Sequence, residues 1–197
     1  MASTTNTRDR SELEPPPPIS GRVSSTRGTR QLAVAQWLMS AATSREEARH
    51  EWATYGMALL RCGTLFTAVR IPAAYMHAAA EAEAPDTVAS FLTGALDGGP
   101  VFYDPRGRHF YALVPASTAR LWDVPFAECF GRDSFLGVPA INRVGPDGTH
   151  DAYWVVPMDG PGDLCAADDV ADLVLYGRQA AAKAQAKEAA KEPKAHE

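Results

Sequence analysis

The chain has 197 residues, 46% hydrophobic and 22% charged, with a formal net charge of −5, a size and composition for one globular domain with its own core. Between residues 31 and 177 there are nine Arg, no Lys and eighteen Asp or Glu. Phosphate backbones are repelled by such a body, which disfavours non-specific nucleic-acid binding over the whole surface while leaving room for a local Arg cluster.

The three cysteines, Cys62, Cys129 and Cys165, form no C-x-x-C pair, and an odd, scattered set without a secretory signal reads as reduced thiols in the cytoplasm. No run of about 18 apolar residues occurs, so no membrane partner is expected. Residues 1–28 are rich in Ser, Thr and Arg and contain Pro15 to Pro18 in a row. Such a segment favours polyproline II over a packed core and reads as a disordered arm.

A helix is predicted over residues 30–42, from Leu32, Ala35, Leu38 and Ala42 at helical spacing. Ser44 with Glu47 three residues later is a capping box. It opens a second predicted helix, with Ala48, Trp52, Tyr55 and Leu59 on one side, ending at Gly63. Leu65 to Ile71 reads as a strand stopped by Pro72. A short Ala-rich helix over 73–80 follows, then a better one from Pro85 carrying Val88, Phe91, Leu92, Ala95 and Leu96, broken at Gly98-Gly99.

The most specific stretch is Asp104 to Pro115, D-P-R-G-R-H-F-Y-A-L-V-P. Asp, Pro and Gly occupy the first, second and fourth positions of a type I turn, between apolar runs on either side. It reads as a β-hairpin with His109 at the start of its second strand. Beyond it are expected a helical turn over 117–123, a loop over 125–131, strands at 135–138 and 153–156, and a helix over 166–177. The Ala/Lys/Glu run of 178–197 has high helix propensity and no apolar face, so it should extend into solvent. The fold class expected is α+β: a single domain over 29–177, with a mainly antiparallel or mixed sheet and helices packed on one face.

The hairpin resembles the second motif of primase–polymerase domains of the archaeo-eukaryotic primase superfamily, in which a glycine-containing turn leads into a strand bearing a His and aromatics. Leu65 to Pro72 falls where that family has its first motif strand, and Cys129 to Pro139 and Tyr153 to Pro157 resemble its later part. The resemblance covers about 63–160. It implies an accessory or regulatory protein of DNA replication, of mobile-element or phage type. In that family the first motif supplies paired carboxylates that hold divalent metals for nucleotidyl transfer; here the matching face offers Ala68 and Arg70, and no Asp or Glu occurs from Trp52 to Ala80. The resemblance therefore implies a degenerate version with no catalytic residues, no metal and no cofactor. What it leaves is phosphate binding at His109, with Arg106, Arg108, Arg70 and Arg132 as guanidinium donors.

The plainer alternative is that these arginines are solvated and His109 is a strand residue. The partners open at this point are a nucleotide or nucleic-acid end, and a protein partner held through 1–28 or 178–197. A protein-interaction module that binds no nucleotide is the second functional reading. Zinc at His50 or His77, a metal set of Asp104, Asp133 and Asp151, and hydrolase chemistry at Ser117 or Ser134 are weaker, because the ligand or nucleophile contexts are missing.

Overall fold

A computed structural model describes residues 27–149 and 151–191. Two helices lead, α1 (Arg27–Met39) and α2 (Arg45–Tyr55), followed by strands β1 (Met57–Arg61) and β2 (Phe66–Pro72). Next come α3 (Ala73–Ala80), α4 (Pro85–Ala95), and the hairpin strands β3 (Val101–Asp104) and β4 (His109–Pro115). A 3-10 turn over Ala116–Arg120 precedes β5 (Glu128–Cys129), β6 (Phe135–Pro139), β7 (Tyr153–Val156) and α5 (Ala167–Lys191). No helix among the described residues is long and apolar enough to cross a membrane.

The strands form a five-stranded antiparallel sheet, β5-β2-β4-β3-β7, and a separate pair, β1-β6. This is the α+β single domain expected, with the hairpin's second strand at the centre of the larger sheet. Helices α3, α4 and α5 cover one face of it, where Val69, Ile71, Phe110, Met76, Leu92 and Val174 are buried together. The opposite face packs Phe66, Phe102, Leu113 and Trp154 against Leu38 of α1 and Leu60 and Val138 of the β1-β6 pair.

One predicted helix is corrected. Ser44 caps α2 as the capping box requires, its Oγ accepting the Glu47 N–H at 3.2 Å. The helix ends at Tyr55, however, and not at Gly63. Gly56 takes φ 71°, the left-handed conformation glycine adopts cheaply, and its N–H returns to the Trp52 carbonyl. Met57–Arg61 is then a strand, with Ala58 and Leu60 buried and Leu59 and Arg61 exposed. Its outer edge is closed by α2 and the α1–α2 turn: Leu59 N–H donates to Glu51 Oε2 at 3.0 Å and Arg61 N–H to the Ala41 carbonyl at 2.9 Å. That covers an edge open to intermolecular pairing. The loop expected over 125–131 likewise contains the two-residue strand β5, paired to β2 at Val69 and Arg70.

Helix α5 runs unbroken from the predicted core segment into the Ala/Lys/Glu run, buried at Ala181 and exposed from residue 182 to 190. Of the arm expected over 1–28, only Arg27 and Gly28 are described, and they open α1. The remainder of the arm, and residues 192–197 of the tail, lie outside the described residues.

Candidate functional site

The hairpin turn is built by the residues that predicted it. Asp104 Oδ1 accepts the Arg106 N–H at 3.0 Å, and Asp104 pairs with His109 across the strands. A side chain on Gly107 would run into Asp104 Oδ2, so the Asp104 carboxylate would have to shift to admit one. Arg108 closes the loop at φ 54°.

Strand parity decides which candidate residues meet. Arg70 lies opposite Tyr111, and Pro72 opposite His109. Arg70 and His109 therefore share a sheet face as diagonal neighbours, roughly 7–8 Å apart. Tyr111 lies between them, stacked on Phe102 with centroids 4.7 Å apart and 9° between planes, and 6.4 Å from the His109 ring. Burial pushes the Tyr111 hydroxyl upward in pKa, with the nearby Asp104 carboxylate adding to it. It is a neutral phenol at physiological pH.

The other arginines go elsewhere. Arg106 turns out to Asp151 Oδ1 at 2.9 Å; that carboxylate also accepts Arg143 at 3.2 Å and the Thr149 hydroxyl at 3.0 Å. Arg108 lies behind the sheet, lining the groove between α3 and α5. Arg132 packs at the Gly63 turn, its Cα 2.8 Å from where a Cβ on that glycine would be. Arg70 itself pairs with Glu128 Oε2 of β5 at 2.6 Å. Of the five candidates, His109 and Arg70 are brought together, Arg106 is turned to Asp151, and Arg108 and Arg132 are separated from them.

Asp104 is the acidic group beside the His109 imidazole: Gly107 lies against both Asp104 Oδ2 and His109 Nδ1. Among the described residues no group of three or more His, Cys, Asp or Glu is placed to hold a metal ion. Asp133 is committed to Arg61 and Asp151 to Arg106 and Arg143, so these two do not converge with Asp104. Burial pushes the Cys62 and Cys129 thiols up to about 11, with the Thr67 hydroxyl opposing it, and Cys165 up to about 12. None is a thiolate nucleophile at neutral pH.

Sequence reasoning missed a cavity on the other side of the same hairpin. It has a volume of about 280 Å³ and is lined by His77, Val88, Tyr103, Phe110, Tyr153 and Val155 among others, with Glu83, Asp147 and Asp151 around it. The available signal was parity: Tyr103 and Phe110 alternate with Phe102 and Tyr111, so the hairpin carries aromatic pairs on both faces. Only the fold shows that α3, α4, Pro146 to Gly148 and Asp151 leave a space beside one of them.

His77 stands edge-on to Phe110 at 5.6 Å. Desolvation lowers its pKa below the ordinary 6.5; Arg108 adds to the shift and Glu83 opposes it. A histidine depressed in the folded state stabilises the fold above its unfolded pKa, because the unfolded chain takes up the proton first. This contribution is lost as pH falls from about 6.5 toward the lowered folded value. Urea midpoints should accordingly drop on acidification across that window, and His77→Gln should flatten that part of the profile. An unchanged slope in the variant would show that His77 carries none of it.

Comparison with known protein families, with curated proteins and with solved structures finds no match to this chain.

Proposed function

We propose that this chain is an accessory binding domain, primase–polymerase-like in frame, that holds the phosphate end of a nucleotide or nucleic-acid strand at His109 and Arg70. The observation carrying this reading is the register that sets both side chains on one sheet face, with the Tyr111 ring between them. The absence of carboxylates at positions 68 and 70 argues for binding without nucleotidyl transfer.

Pairing of Arg70 with Glu128 does not close the site. Both side chains are substantially exposed, at 41% and 57%, and such pairs are worth only about 0–1 kcal/mol. A phosphate that engages a guanidinium through two charge-assisted hydrogen bonds gains more than that, so the ligand can displace Glu128.

Titration of nucleoside triphosphates and short single strands against the full chain tests the reading. Saturable, salt-sensitive binding is expected, weakened about tenfold or more by His109→Ala or Arg70→Ala. Absence of binding to wild type, or equal binding by the variants, would remove it. Primer synthesis in manganese would overturn the accessory role.

A second reading, a protein-interaction module, is favoured by Leu59 and Phe135, exposed at 56% and 52% on the open face of the β1-β6 pair. It predicts partner capture that survives His109→Ala and is lost on Phe135→Ser or on removal of 1–28 or 178–197.

A further inference from the structure

We propose that the cavity behind the hairpin is a separate site for an organic ammonium ion, a protonated or alkylated amine carried on an apolar or aromatic body. It lies on the opposite face of the sheet from His109 and Arg70, and its chemistry is opposite in sign.

The walls are aromatic. Tyr103 and Tyr153 meet at 82° with centroids 5.9 Å apart, forming two sides of a corner. Phe110 stacks on Tyr103 at 4.4 Å, and His77 stands edge-on beyond it. Ring faces carry negative quadrupole density, and a corner of such rings is the arrangement that receives quaternary and protonated amines. Burial raises the pKa of both Tyr103 and Tyr153, so both remain neutral phenols. At about 280 Å³ the space is near the lower end of small-molecule sites, enough for a ring and a short amine.

The charges around it select the sign. Glu83, Asp147 and Asp151 line the cavity, and among the described residues no Lys or Arg does. Asp151 is neutralised by Arg106 and Arg143. Glu83 and Asp147 are in no ion pair among the described residues; hydrogen bonds from Thr149, the leading cause, hold the Asp147 carboxyl below its usual range and keep it ionised. Arg108 acts on His77 and Tyr103 from the groove behind, but it is solvent-exposed and screened. An anion entering here meets Glu83 and Asp147, while Arg143 and Arg108 act on Asp147, His77 and Tyr103 from outside the lining. An ammonium meets ring faces with carboxylates at the mouth.

The test uses the full chain and three probes: 2-phenylethylammonium, phenylacetate with a similar ring and opposite charge, and tetramethylammonium as the head alone. Calorimetry gives affinities, and amide shifts locate the contact. We expect 2-phenylethylammonium to bind with perturbation of Tyr103 and Tyr153, phenylacetate to bind at least about tenfold more weakly, and tetramethylammonium to compete. Tyr153→Ala should weaken the amine about tenfold. Because Tyr153 is nearly buried and its loss can disturb the fold, the surface variant Asp147→Asn is the second reading, expected to cost several-fold while leaving the unfolding midpoint near wild type. His109→Ala, on the opposite face, should leave amine binding unchanged. Equal affinity for the two ring compounds, no saturable amine binding up to about 10 mM, or affinity unaltered by both Tyr153→Ala and Asp147→Asn would overturn the proposal.

Discussion

Trp154→Ala is expected to lower the unfolding free energy by about 3–5 kcal/mol, the range for deleting a fully buried large aromatic side chain. Trp154 is 1% exposed and sits on β7, the outermost strand of the larger sheet. Its ring meets Phe102 edge-on at 5.5 Å, and its Nε1–H donates to the Pro139 carbonyl at the end of β6, 3.2 Å away. Its backbone does equal duty: the N–H donates to the Arg143 carbonyl at 2.8 Å and its own carbonyl accepts from Gly145 at 3.1 Å. One residue therefore ties the five-stranded sheet, the β1-β6 pair and the 143–145 segment together. Alanine keeps the backbone bonds, leaves a void beside Phe102 and strands a buried carbonyl. Trp154→Phe retains most of the volume and loses the donor, so its cost should be smaller, about 1–3 kcal/mol. Urea titrations with matched slopes measure both; a loss below about 1 kcal/mol for alanine would mean the two layers can collapse onto each other. The same substitution loosens the segment that leads to Asp147 and Asp151. Amine binding should weaken in a variant that does not touch the cavity.

How much of this was readable in the chain depended on distance along it. The hairpin was legible because Asp104, Pro105 and Gly107 make their turn locally, and Ser44 was legible as a cap because its partner Glu47 is one helical turn away. Strand β1 was not. Trp52, Tyr55 and Leu59 continue a helical period, and a glycine inside a helix costs only about 1 kcal/mol, so Gly56 did not outvote them. What decided the matter is the pairing of Met57–Arg61 with Phe135–Pro139, nearly 80 residues on. The candidate site divided the same way. His109 and Arg70 were each visible as strand residues, but the face they share follows from the β2–β4 register, and the carboxylates that occupy the arginines come from Glu128 and Asp151, the latter 45 positions beyond Arg106, with no local trace. The aromatic cavity was hidden for a related reason. Its Tyr103, Phe110 and Tyr153 were each visible only as residues of separate strands.

Opposite signs are expected for one substitution at two helix positions. Gly94→Ala in α4 should raise stability by about 0.5–1 kcal/mol, since the added methyl meets nothing within 4 Å and alanine is the better helix former. Gly177→Ala in α5 gains the same propensity and should nevertheless lose about 1–2 kcal/mol net. Gly177 is buried where α5 crosses α3, and a Cβ there would stand 2.6 Å from the Tyr75 carbonyl oxygen and 3.0 Å from its carbon. Those are backbone atoms of another helix, which cannot rotate aside as a side-chain tip can. The cost falls in the upper half of the roughly 1–3 kcal/mol typical of overpacking and exceeds what the helix gains. Separation of α3 from α5 also shifts His77, on the turn after Tyr75, and with it one wall of the aromatic cavity. Thermal or urea unfolding of the two variants in parallel reads the signs directly. A gain at both positions would mean α3 yields at no cost, and that the wall formed by His77 is not fixed by the packing of α5.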